Sequence, residues 1–173
     1  MRRRWSHVPV AVLLVSGTLA FAGGVAAAQE TDCARALWAA PIETVEMPDG
    51  WSWSSLTVQM DGGWSGSIGK PKADSEIASD FDDKTDDIYF DVECNADPQA
   101  FMEARGRARA AWPDRYSDID DIEVGDLSMA FGYEDGIAVD WAHGTVYGIV
   151  YGDDAVDPSA VRDFALALDA LLP

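Results

Sequence analysis

Asp97-Pro98-Gln99-Ala100-Phe101 and Asp157-Pro158-Ser159-Ala160-Val161 stand sixty positions apart, and each follows a strand-like run and opens a helix-like one. Aspartate at a helix cap accepts an orphan amide hydrogen bond, and proline at the first helical position has no amide to leave unbonded. Apolar residues at helical spacing follow both starts. In the first run they are Phe101, Ala104, Ala108, Ala111 and Trp112, before Pro113; in the second they are Val161, Phe164, Leu168, Leu171 and Leu172. Shifting the first five by sixty gives the second five, so cap and stripe repeat in register.

Strand signals precede both helix starts. Ser54 to Met60 and Trp64 to Ile68 flank Asp61-Gly62-Gly63, a hairpin turn signal. Ile88, Phe90, Val92 and Cys94 then alternate with Tyr89, Asp91 and Glu93, which predicts a strand with one buried face. In the second half Leu127, Met129, Phe131 and Tyr133 alternate, and Glu134-Asp135-Gly136 turns the chain into Ile137, Val139 and Trp141. Ala142-His143-Gly144-Thr145 leads into a last strand, Val146 to Tyr151. Asp114 to Val124 reads as an acidic connector, and a short helix over Asp32 to Ala40 stops before Pro41. The expected architecture is α+β: an N-terminal helix, then two βββα units from an internal duplication. They would form one antiparallel sheet with the helices packed on one face. The halves differ at Lys70 to Asp87, a long polar connection where the second half has a turn; such connections are functional or disordered.

The N-terminus has the form of a secretory signal peptide. Arg2-Arg3-Arg4 precedes an apolar stretch from Val8 to Phe21, and Ala26-Ala27-Ala28 supplies a small-residue cleavage site. Residues 1–28 are expected to be removed, leaving a single secreted domain at 29–173, neither a lipoprotein nor stably anchored in a membrane. The 173-residue chain carries a formal charge of −19, and loss of the three arginines makes it −22. That surface disfavours nucleic acid and anionic lipid as partners, and is compatible with cationic partners, divalent metal or simple solubility outside the cell. Cys33 and Cys94 are the two cysteines, read as one disulfide of an exported protein.

The ending VGDLSMAFGYEDGIAVDWAHGTVYGIVYG (124–152), followed by DPSAVRDFALALDALL (157–172), resembles small exported domains of actinobacteria. That group includes extracellular sensor domains of membrane-bound serine/threonine kinases and related cell-envelope lipoproteins. The resemblance implies two βββα-like halves in one curved antiparallel sheet and an extracellular or cell-envelope ligand. It carries across no ligand-binding residue.

Motifs for chemistry are sparse. His143 falls in a turn, and Gly63-Trp64-Ser65-Gly66-Ser67 does not form a G-x-S-x-G elbow. Asp80, Asp82, Asp83, Asp86 and Asp87 are calcium candidates, with a second cluster at Asp153, Asp154 and Asp157, but neither has the spacing of a calcium loop. Trp51, Trp53 and Trp64 form a candidate sugar-stacking group whose competing role is core packing. Arg105 and Arg109, four apart beside Arg107, form a basic patch or pair with nearby acids. The expected function is a non-enzymatic extracellular binding or sensing module without a cofactor, its ligand unspecified, using an exposed sheet face or the Lys70 to Asp87 loop. The alternatives are carbohydrate binding through the tryptophans and a small secreted hydrolase using paired carboxylates.

Overall fold

The computed structural model describes residues 32–60, 62–71, 85–119, 122–133, 136–153 and 155–172. Residues 1–28, read from the sequence as a signal peptide, and most of the Lys70 to Asp87 connection lie outside these. Among the described residues seven strands form one antiparallel sheet: β1 Ser52–Val58, β2 Trp64–Pro71, β3 Thr85–Cys94, β4 Tyr116–Ile119, β5 Leu127–Tyr133, β6 Gly136–His143 and β7 Val146–Asp153. Residues 32–39 are helical (α1), and α2 spans Pro98–Ala110 and α3 Pro158–Asp169. The class is α+β.

The strands lie in the order β1-β2-β3-β7-β6-β5-β4. At the centre β3 meets β7 with Phe90 opposite Val150, residues sixty positions apart, as are Pro98 and Pro158. From that pair the order runs outward through β2 and β1 on one side and through β6 and β5 on the other. Both cap aspartates work as their sequence implies. Asp97 accepts from the Ala100 amide at 2.9 Å, and Asp157 from the Ser159 amide at 2.8 Å.

β4 corrects one expectation, since the stretch read as a connector contains an edge strand. Its four residues are too few to show alternation, and acids are common on sheet edges, where they discourage further pairing. Tyr116 holds it in place, its ring centroid 5.7 Å from that of Phe131 on the neighbouring strand.

The first face of the sheet carries the main core. Trp64, Ile68, Ile88, Phe90, Val92, Val139, Trp141 and Val150 are buried there beneath Val161, Phe164 and Leu168 of α3, the stripe its spacing predicts. α1 covers the β1–β3 side of this same face. Its Leu37 joins the core and its backbone carbonyl accepts from Trp64 Nε1 at 3.1 Å. The Cys33–Cys94 disulfide, with Cα atoms 5.9 Å apart, ties α1 to the end of β3. Gly148 leaves room for the Trp141 ring, which a Cβ at that position would strike.

The helices do not all pack on one face. Side chains alternate along a strand, and α2 touches the opposite set: its Met102 clusters with Ala142 and Tyr147, with Met129 and Ile149 alongside. The place α2 would take on the first face is filled by α1 and by Ile42 and Val45. The predicted α2 stripe is overturned as well. Ala104, Ala108, Ala111 and Trp112 are exposed, and Phe101 is partly exposed with its ring packed against Tyr147 at 4.7 Å between centroids. The positions buried or half-buried against the sheet are Pro98, Met102, Arg105 and Arg109. They keep helical spacing, but two of the four are charged, so no apolar stripe marks them.

The disulfide closes a loop of 61 positions. On the chain-entropy model, replacing both Cys33 and Cys94 with serine should lower stability by roughly 4 kcal/mol, read as a fall in the denaturant midpoint with an unchanged slope. An unchanged midpoint would show that α1 stays docked by packing alone.

Candidate functional site

β6 is covered on both faces, so its sequence from Ile137 to Ala142 is apolar except at Asp140. That aspartate is 0% exposed. Removing a carboxylate from water costs several kcal/mol unless opposite charge and hydrogen bonds replace the lost hydration. α2 supplies both. Arg105 and Arg109 are one helical turn apart and so reach the same spot. Arg105 donates from Nε to Asp140 Oδ2 at 2.7 Å and from Nη2 to Oδ1 at 3.4 Å; Arg109 donates from Nη1 to Oδ2 at 3.1 Å.

Each guanidinium is also fixed from another side. Arg109 donates from Nη2 to Met129 Sδ at 3.0 Å and lies 3.8 Å from the Phe131 ring centroid, which leaves its side chain 13% exposed. Arg105 sits 6.0 Å from the Tyr147 centroid and is 37% exposed. Burial acts against its charge, but the hydrogen bond and the charge of Asp140 outweigh burial and raise its pKa. Tyr147 lies beneath them with a buried phenol that has no hydrogen-bond partner among the described residues. Burial, then the Asp140 charge, push this phenol well above its ordinary 10.0, while Arg105 and Arg109 pull it partly back.

Among the described residues Asp140 is the one ion-pair partner of both arginines, so two positive charges meet a single negative one. The surplus charge lies within the chain's largest group of basic residues, with Glu103, Asp114 and Asp118 interspersed. Arg105, Arg107, Arg109 and Arg115 are four of the nine lysines and arginines after residue 28. Arg107 pairs with Glu103 on the helix surface at 3.6 Å, and Arg115 lies 5.6 Å from the Trp112 ring centroid. Two hollows adjoin this surface. Arg105, Ala108, Arg109, Trp112, Tyr116 and Phe131 bound a cleft of about 260 Å³. A wider open groove of about 920 Å³ runs between α2 and β4–β5; Arg109, Tyr116, Met129 and Phe131 stand in its walls together with Asp118, Glu123 and Asp126, so acids outnumber cations there. Arginine does not release its proton in this pH range and serves as a fixed donor of hydrogen bonds. The small cleft, with two arginines and no carboxylate in its lining, is therefore the hollow suited to holding an anionic group.

The tryptophans expected to stack on sugar do not share an exposed platform. Trp64 is 0% exposed beneath α1. Trp53 is half-buried, 5.8 Å from Phe90 and 6.2 Å from Phe164 by ring centroid. Trp51 is half-buried in the wall of a separate acidic groove with Asp49, Lys70 and Asp157. Packing has taken these rings because β1 and β2 form one side of the main core.

Of the calcium candidates, Asp80, Asp82, Asp83 and Asp154 lie outside the described residues. Asp86 and Asp87 belong to β3, on opposite faces, and Asp157 caps α3. Among the described residues no group of three or more His, Cys, Asp and Glu is placed to hold a metal ion. His143 Nδ1 lies 3.0 Å from Asp169 Oδ1, and the other Asp169 oxygen accepts from the Gly125 amide at 3.2 Å, which joins the end of α3 to the β6–β7 turn.

The two arginines stand out in the sequence, but their partner Asp140 and the neighbouring Tyr147 and Tyr116 do not, and Trp112 reads there as part of a buried stripe. The usable signal was a lone aspartate inside an apolar strand, which demands a cation from whatever element packs over it. Compared with known proteins, the chain matches no family model, no curated protein and no solved structure.

The folded protein keeps the Tyr147 proton at a pH where the unfolded chain loses it. Stability from this source is complete below the unfolded value near 10.0 and is lost as pH rises toward the folded one. Tyr147→Phe should change stability by less than about 1 kcal/mol at about pH 7, because it removes a buried hydroxyl without a partner. Between about pH 9 and about pH 11 its denaturant midpoint should fall less than that of the unaltered protein; an equal fall would place the phenol in solvent.

Proposed function

We propose that this chain is a secreted, non-enzymatic binding module that holds an anionic extracellular ligand at the C-terminal part of α2, where Arg107 and Arg115 are exposed and Arg105 and Arg109 are fixed at the boundary with the sheet. The carrying observation is the concentration of arginines on and just after that helix in a chain of formal charge −19, two of them fixed by Asp140. The signal-like residues 1–28, the Cys33–Cys94 disulfide and the resemblance to exported envelope domains support the extracellular setting. The acidic remainder of the surface repels anions that do not find α2, which favours selectivity over general adhesion.

A fold reading accompanies this function: an N-terminal helix followed by two βββα units from one duplicated ancestor. The outward strand order on either side of the Phe90–Val150 pair supports it. Two such units related about that pair would place both following helices on the same face. α1 occupies that place in the first half, so α2 is displaced to the second face and its outer surface becomes available for a ligand.

The test is retention on immobilised dextran sulfate at low salt. The protein should be retained despite its negative charge, and Arg107→Glu with Arg115→Glu should weaken retention by about tenfold, since both are surface cations outside the Asp140 pair. Arg35→Glu with Arg162→Glu, the same charge change elsewhere, should have little effect. Equal weakening by both pairs, or no retention at all, would overturn the reading.

A further inference from the structure

We infer that the cleft at the C-terminal end of α2 seats a carboxylated sugar ring, an assignment that rests on α2 being the binding surface. Its floor is made by the two guanidiniums. Arg105 spends Nε and Nη2 on Asp140, and Arg109 spends one N–H on Asp140 and one on Met129. A guanidinium has five N–H donors in a rigid fork, so each keeps donors in addition to those bonds. Their orientation is set in advance by the buried carboxylate, so little ordering cost remains when a ligand arrives.

Charge decides the kind of anion. Within the cleft lining, two arginines against Asp140 leave one surplus positive charge, which suits a single carboxylate; Asp118, in register with Phe131 and in the wall of the adjoining groove, disfavours an anion of higher charge. A phosphate monoester brings about −1.5 to −2 and would remain undercompensated in an acidic protein. The planar fork of arginine also matches a carboxylate edge in two-point contact.

The walls decide the body of the ligand. Trp112 is 61% exposed at the cleft, with Arg115 5.6 Å from its ring centroid. Tyr116 and Phe131 stand across from it, with centroids 5.7 Å apart at a steep angle. A ligand that covers an indole while remaining soluble needs an apolar face and a polar rim, which a sugar ring has. About 260 Å³ lies just below the usual range for small-molecule sites, so it accommodates one ring and not a chain.

The experiment is a titration of the purified protein with D-glucuronate, followed by tryptophan fluorescence and calorimetry, with D-glucose and inorganic phosphate as comparators at matched ionic strength. Glucuronate should bind saturably, at least about tenfold more tightly than either comparator. Trp112→Ala, an exposed position, should lose about tenfold in affinity with an unchanged thermal midpoint, and Arg109→Lys should lose as much by forfeiting the fork. Phosphate binding as tightly as glucuronate, or Trp112→Ala binding normally, would overturn the assignment. If glucuronate fails to bind while dextran sulfate is still retained through Arg107 and Arg115, the cleft assignment falls and α2 remains the binding surface. Failure of both would remove both.

Discussion

A carboxylate with no exposed surface cannot stay charged alone, and Asp140 meets that constraint only because α2 lies over it. Few other contacts hold α2. Its buried apolar side chains are Pro98 and Met102, Phe101 packs its ring edge-on against Tyr147, Gly106 lies against Met129, and its other sheet-facing positions are the two arginines. Buried ion pairs often add little net stability compared with well-packed hydrophobic residues, because the desolvation cost offsets the attraction. Their effect is directional. Three N–H to carboxylate contacts at 2.7–3.4 Å admit one docking position for the helix, where an apolar stripe would tolerate sliding.

The placement of α2 follows from what fills the other face. α1, held by the disulfide and by the Trp64 bond to Leu37, covers the β1–β3 side, and α3 covers the β6–β7 side. The first face is then complete, and a third helix can reach only the second. A helix that covers a sheet with few apolar residues has many polar ones, and here they are arginines. The same event that finishes the core thus gathers cations on one surface of an acidic protein, and the proposed ligand site is a consequence of packing order.

The sheet was largely legible in the sequence because alternation and turn residues act locally. Leu127–Tyr133 has the bounds its alternation predicts, and both Asp-Pro starts cap helices. Face assignment was not legible, since it depends on α1 competing for space at a distance in sequence. The sheet-facing side of α2 was not legible because alanines at 104, 108 and 111 satisfy apolar helical spacing by abundance, while two of the positions that face the sheet are arginines. β4 escaped notice because four residues around Ser117 and Asp118 look like any acidic connector. The tryptophans were ambiguous in principle: a ring that stacks on sugar and a ring that fills a core obey the same spacing.

Amide hydrogen exchange in an Asp140→Asn variant tests the central claim most directly. The substitution keeps the side-chain shape and removes the charge that fixes both arginines. If the triad is what docks α2, protection of amides across Pro98–Ala110 should fall toward that of exposed loops, with Pro158–Asp169 still protected as in the unaltered protein. Retained protection in α2, or an equal loss in both helices, would contradict the account.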